Sequence, residues 1–339
     1  MTRAGQVIRP VAGGWNRRAL LLALLAAGCT PARLPPSGAP RNPVLADGAV
    51  IADDGYRLAL QSWNPAGRPR AVVLALHGMN DYANAFAMPG PWWAERGIAV
   101  HAYDQRGFGR NEATGLWHGA EALIDDFDDA VRLLRAAHPG VPLYALGESM
   151  GGAVVLAALA RPGAAKVDGA ILSAPAVWGR QEMGLFNRAL LWLTANLFPG
   201  GWVDGRGATI QASDNIEMLR ALGRDPLVVK RTRADSVQGL VDLMDMAYAA
   251  PATLPPVPML LLYGRRDQFI PKAPVEHFAR AMQGRMRTAA YPDGWHLLLR
   301  GLEREVVWRD VAAWIADPSA PLPSGAEWDG SGPLFERRA

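Results

Sequence analysis

The segment Gly147-Glu148-Ser149-Met150-Gly151-Gly152 sets one serine among small residues, with an apolar run before it (Leu143–Leu146) and an alanine-rich stretch after it. That is the pattern of a strand turning sharply into a helix with a nucleophile at the turn. Small residues at 147 and 151 avoid clashes inside the turn, so the Ser149 hydroxyl projects above the strand end and the Met150 N–H points at a developing oxyanion. A serine hydroxyl needs a base. Six histidines are available. His138 sits in a His-Pro-Gly turn, His277 on a helix, His118 in a loop, His101 inside a strand, and His77 at a turn where structural hydrogen bonds are expected. His296 follows a short strand and a Pro-Asp-Gly turn and is expected to begin the last helix. In the order serine, acid, histidine the base comes last, so His296 is the expected general base. The acid that orients it should stand on another strand-end loop, and Asp267 does so after Met259–Tyr263 and Gly264-Arg265-Arg266. Asp293 is nearer in sequence but is explained by turn chemistry. Asp242 and Asp245 lie in an insertion. His77-Gly78-Met79-Asn80 ends an early strand, and the Met79 N–H is the expected second oxyanion donor.

These residues need elements to position them. Val50–Trp63 reads as a hairpin turning at Asp54-Gly55. Ala71–Leu76, Ile98–Tyr103, Leu143–Leu146, Gly169–Ser173, Met259–Tyr263 and 286–291 read as strands. Helical patterns cover Ala122–Ala137, the stretch after Ser149 to about Ala160, 274–282 and 297–316. Alternation of this kind predicts an α/β fold, a mostly parallel central sheet with helices on both faces. Asp125, Asp126, Asp128 and Asp129 are expected on a solvated face near a helix N-terminus. In Asp104-Gln105-Arg106-Gly107-Phe108-Gly109, the glycines and Arg106 are expected to shape a loop and not to take part in chemistry. The stretch at about 176–256 breaks the rhythm and reads as a helical lid insertion. Residues 317–339, rich in Pro, Gly and Ser, are expected to be a flexible tail.

Leu76-His77-Gly78, Asp104 to Gly109, Gly147 to Gly152, Tyr263-Gly264-Arg265-Arg266-Asp267 and Gly294-Trp295-His296 together resemble the α/β-hydrolase superfamily. Within it they are most similar to the monoacylglycerol lipase and lysophospholipase-like hydrolases, often grouped with serine aminopeptidases. The resemblance covers about residues 48–316. It implies hydrolysis of carboxylic lipid esters through an acyl-enzyme, with Ser149 attacking and His296 moving the proton, and with no metal or organic cofactor. A serine at 149 argues against the dehalogenase and epoxide-hydrolase branches, which use aspartate. Asn80-Asp81 departs from the Gly-Glu common in the subgroup. Leu185, Phe186, Leu190, Leu191, Trp192, Leu197, Phe198 and Trp202 in the insertion either line an acyl site or pack the lid onto the core. Two other readings stay open. One is a proline-iminopeptidase-like serine aminopeptidase, needing an acidic pocket for which Glu182, Asp204 and Glu217 are candidates. The other is a catalytically idle lipoprotein that binds a partner through its lid.

Residues 1–28 carry four arginines and no acid and end in the apolar run Ala19–Gly28. Ten helical residues span about 15 Å, too short to cross a bilayer but suited to a signal peptide. Ala26-Ala27-Gly28-Cys29 resembles a bacterial lipobox, which implies lipidation of Cys29, a proline-rich tether over 29–45 and a hydrolase domain over 46–316. The expected location is the cell envelope, lipid-anchored to the outer membrane on its periplasmic side, with plain secretion as the alternative. Loss of the signal segment takes the formal charge from +3 to −1. That balance, with no basic patch interleaved with aromatics, excludes a nucleic-acid partner. Cys29 is the single cysteine, so no intramolecular disulfide and no paired-cysteine metal motif can form.

Overall fold

The computed structural model describes residues 38, 41–203, 210–330 and 333–335; the expected signal segment and Cys29 lie outside the described residues. The short apolar runs read as strands become strands, giving β1 (Val44–Ala46), β2 (Ala49–Ile51), β3 (Arg57–Trp63), β4 (Ala71–Leu76), β5 (Ile98–Tyr103), β6 (Leu143–Glu148) and β7 (Gly169–Ser173), of which β1 is added by the structure. After the insertion, which holds the two-residue pair β8 (Trp202–Val203) and β9 (Thr232–Arg233), come β10 (Met259–Gly264) and β11 (Arg287–Tyr291). The helices are α1 (Pro89–Ala94), α2 (Ala120–Ala137), α3 (Met150–Leu159), α4 (Leu185–Leu197), α5 (Ile216–Arg224), α6 (Ala234–Ala249), α7 (Lys272–Ala281) and α8 (Arg304–Ala316).

The sheet runs β1-β2-β3-β5-β4-β6-β7-β10-β11. The first three strands are antiparallel, and from β5 onward every pairing is parallel. Strands β4, β5, β6, β7 and β10 are buried along their whole length, as two-sided coverage requires. One face packs on α2, α3, α6 and α7 through residues such as Phe127, Val154, Leu243 and Phe278. The other packs on α1 and α8 through Trp93, Trp308 and Trp314. The chain passes from β4 to β5 on one side and returns to β6 on the other. The carboxyl ends of β4 and β6 therefore flank a topological switch point, where open parallel sheets bind ligands.

Three expectations are corrected. First, His296 does not begin a helix over 297–316. A single 3-10 turn, Leu298–Arg300, follows it, and α8 starts at Arg304. The insertion binds this stretch at two points: the Asn215 amide donates at 3.0 Å to the Arg300 carbonyl, which a helix would use, and Leu297 N–H donates to the Ala212 carbonyl at 2.9 Å. Second, Asp126, Asp128 and Asp129 are buried, and of the four acids Asp125 is the exposed one. Asp126 receives two 2.6 Å hydrogen bonds from Arg106, while Asp128 and Asp129 accept the N–H groups of Ala165 and Asp53. Third, the described residues beyond 316 are not loose. Ala290 N–H donates to Ala326 and Trp328 N–H to Thr288, so this segment covers the open edge of β11 and buries Leu322, Leu334 and Phe335. Arg106 shapes its loop as expected, pairing with Asp54 as well as Asp126.

Candidate active site

Ser149 sits between the end of β6 and the first residue of α3 with φ 53° and ψ −114°, a left-handed backbone that costs a non-glycine residue about 1–3 kcal/mol. The surroundings hold it there. Ser149 N–H donates to Ser173 O at 2.9 Å, and Ser149 O accepts from Ala176 N–H at 3.0 Å. The flanking glycines are required by space: a Cβ on Gly147 would stand 2.5 Å from Gly151, and one on Gly151 would stand 2.2 Å from the Leu76 carbonyl. Met150 opens α3, so its N–H has no acceptor within the helix and sits at the positive end of the helix dipole.

The loop after β4 passes directly against this turn, since a Cβ on Gly78 would lie 3.2 Å from Ser149 Cβ. Asp81 N–H donates to Gly78 O at 3.3 Å, closing a turn with Met79 and Asn80 at its centre. Asn80 has φ 67°, a conformation asparagine tolerates and the third position of such turns demands. The Asn-Asp departure from Gly-Glu thus keeps both physical features, a residue at ease with positive φ and then a carboxylate. His77 braces the loop from below: Nδ1 donates to Gly78 O at 2.8 Å and Nε2 accepts Gln105 N–H at 2.9 Å. Complete burial keeps its pKa low and the ring neutral.

Acid and base meet across the next loops. The pairing of β10 with β11 continues past the strand ends: Arg265 N–H donates to Tyr291 O and Arg266 N–H to Gly294 O, each at 2.9 Å. This lacing brings Asp267 Oδ2 to 2.8 Å from His296 Nδ1, with both side chains buried. The other Asp267 oxygen accepts the N–H groups of Phe269 and Ile270 at 2.7 and 3.1 Å, so the carboxylate cannot swing away. Phe269 stacks on the His296 ring with centroids 4.9 Å apart. The remaining candidates are engaged elsewhere. Asp293 pairs with Arg266, and Asp242 and Asp245 pair with Arg180. His101 faces Ser62, and His277 faces Glu182.

Ser149 and His296 line one cavity of about 560 Å³, together with Gly78, Met79, Asn80 and Asp81. This volume suits a small organic ligand. Its walls are apolar: Trp178, Met183, Leu191, Leu240, Met244 and Ile270. Among the eight apolar lid residues singled out in the sequence, Leu191 alone lines this cavity, and the wall comes instead from α6. Leu185, Phe186, Trp192, Phe198 and Trp202 face outward and are exposed. Neither Glu182 nor Glu217 lines the cavity, and Glu182 is bonded to Tyr248 and His277. Asp204 lies outside the described residues. Among the described residues, no group of three or more His, Cys, Asp or Glu side chains is placed to hold a metal ion.

The family model described as serine aminopeptidase, S33, matches residues 67–304, a span that includes every loop of this site. The chain belongs to that family. Among its relatives, it is 29% identical to the monoacylglycerol lipase of Mycolicibacterium smegmatis over 77% of this chain and 93% of the relative. It is 24% identical to the human monoglyceride lipase over 80% of this chain and 90% of the relative. The crystal structure of Paleococcus ferrophilus monoacylglycerol lipase superposes with a TM-score of 0.65 at 22% identity, covering 77% of this chain and 99% of that one, which shows the shared fold.

Two features of this S33 site were not legible in the sequence. Phe269 lay in a loop with no apolar periodicity to mark it. Glu148 and Arg300 were the second. The Arg300 guanidinium is buried between Asp81 (2.8 Å) and Glu148 (2.7 Å). Burial pushes the Glu148 carboxyl above the usual range, with Arg300 opposing. A glutamate inside the apolar context of β6 is the one sequence signal that demanded a buried cation.

Proposed function

We propose that the chain is a serine hydrolase that cleaves carboxylic esters of lipids, monoacylglycerols or lysophospholipids, through an acyl-enzyme. The observation that carries the reading is Ser149, held in a strained turn on the wall of an apolar cavity that also presents a His296–Asp267 pair. In this reading His296 takes the Ser149 proton as the hydroxyl attacks the ester carbonyl. The Met79 and Met150 N–H groups receive the oxyanion. His296 then protonates the leaving alcohol and activates water for deacylation, while Asp267 holds the imidazole tautomer and stabilises its charged form. The apolar wall favours an acyl chain, each buried methylene contributing about 0.8 kcal/mol. The names of the lipase relatives support the same substrate class. A panel of acylglycerols, lysophospholipids, short esters and aminoacyl amides tests it. Turnover is expected on the lipid esters and lost in Ser149→Ala; preference for aminoacyl amides would replace the reading with the aminopeptidase one.

We propose further that Cys29 is lipidated and tethers the enzyme to the cell envelope. The basic start, the ten-residue apolar run and Ala-Ala-Gly-Cys support this. A diacyl-type anchor at this one cysteine would make membrane residence stable, since two acyl chains hold where a single chain binds reversibly. Metabolic labelling with a palmitate analogue should disappear in Cys29→Ser, and unchanged labelling would refute it.

A further inference from the structure

We propose that Arg300 is a positioning residue that sets the three loops of the site against one another. The proposal rests on the reading of Ser149 and His296 as the reacting pair. Arg300 leaves the chain four residues after His296, and its side chain is 4% exposed. One guanidinium nitrogen binds Asp81 Oδ2 at 2.8 Å and the other binds Glu148 Oε1 at 2.7 Å. Asp81 closes the turn that presents the Met79 N–H, and its second oxygen accepts Tyr82 N–H at 2.9 Å. Glu148 is the residue before Ser149. The Arg300 carbonyl is itself held by Asn215, which caps the lid helix α5. One planar cation therefore joins the oxyanion loop, the nucleophile turn and the base loop, and touches none of the reacting groups.

The chemistry of the three groups suits position better than stability. A buried charge cluster is weak evidence for stability, because desolvation offsets the attraction. What it supplies is a fixed geometry. Arginine presents its donors in a rigid fork that can meet two carboxylates at once, whereas lysine is a point charge on a flexible stem. Arg106 joins Asp54, in the turn before β3, and Asp126, on α2, in the same manner, but neither of those elements carries a site residue. The molecule thus holds its own control, one clamp on the site and one away from it.

The test compares Arg300→Lys, Asp81→Asn and Arg106→Lys in the full chain. A fluorophosphonate titrates competent sites, and kcat and KM on a short p-nitrophenyl ester are read per labelled site beside Tm. Misplacement of reacting groups by about 1 Å costs on the order of a hundredfold in rate. Arg300→Lys is expected to lower kcat per site by roughly 10- to 100-fold, and Asp81→Asn by about tenfold, with KM within about threefold. Fluorophosphonate labelling should slow in parallel. Arg106→Lys should lower Tm with kcat per site within about twofold. Kcat per site within twofold of the parent in folded Arg300→Lys overturns the proposal, as does a rise in KM alone. If Arg300→Lys does not fold, Asp81→Asn decides by the same criteria. Ester turnover surviving in Ser149→Ala would instead count against the reading of the site.

Discussion

Helices α3 and α4 carry the same kind of sequence and stand in opposite environments. α3, Met150–Leu159, has no charged residue and all ten of its residues are buried. α4, Leu185–Leu197, has Arg188 as its one charge, yet Ala195 is its one buried residue. A helix apolar on every face belongs in a core or a membrane. α3 obeys because its glycines and alanines let it press between β4, β6, α2 and α6. α4 packs mainly on α6 and leaves Leu185, Phe186 and Trp192 between 60% and 80% exposed. A run of exposed large apolar side chains marks a surface built for apolar contact. The difference teaches that apolar content identifies what must be covered but not what covers it: α3 is covered by the protein, and α4 stands beside a site that, on our reading, receives lipids.

The largest expected effect lies where α3 begins. Ser149→Ala should lower ester turnover by about three orders of magnitude or more and abolish fluorophosphonate labelling, while Tm stays near the parent's. His296→Ala should fall within about tenfold of it, since the pair acts as a unit. Inside α3, Leu156→Ala should destabilise by about 2–5 kcal/mol in urea unfolding, because Leu156 has no exposed surface and its cavity cannot refill. Acid sharpens the contrast. Burial pushes His101 and His118 down to about 4, so folding favours their neutral forms. The stability these two groups contribute, full above pH 6.5, should therefore be lost as pH falls towards 4, and His101→Gln should flatten the slope they impose. α4 has no group that titrates in this window, so this contribution comes from elsewhere in the molecule.

On the lid the effects should be small and functional. Leu191→Ala, at the cavity wall, should raise KM several-fold for long-chain monoacylglycerols and leave p-nitrophenyl acetate turnover within about twofold. Trp192→Ala, one residue on and 60% exposed, should change unfolding free energy by less than about 0.5 kcal/mol. A cost near that of Leu156→Ala would break the comparison and show that α4 is covered after all.

Features with a local cause could be read from the residues alone. Apolar runs became the strands β4, β5, β6, β7 and β10, and the turn around Ser149 followed from the small residues that flank it. Asp267 and His296 were legible because strand ends put residues on one edge of a parallel sheet whatever the loops do. Partners were not legible where they lie far off in sequence. Asp126 meets Arg106 across 20 positions, and Glu148 meets Arg300 across 152. A charged residue reads as exposed until tertiary packing removes its water, and only the fold says which cation arrives with it. The same holds for Leu191 and Trp192: adjacent in one apolar helix, they are told apart by α6, which turns one towards the cavity and leaves the other in solvent.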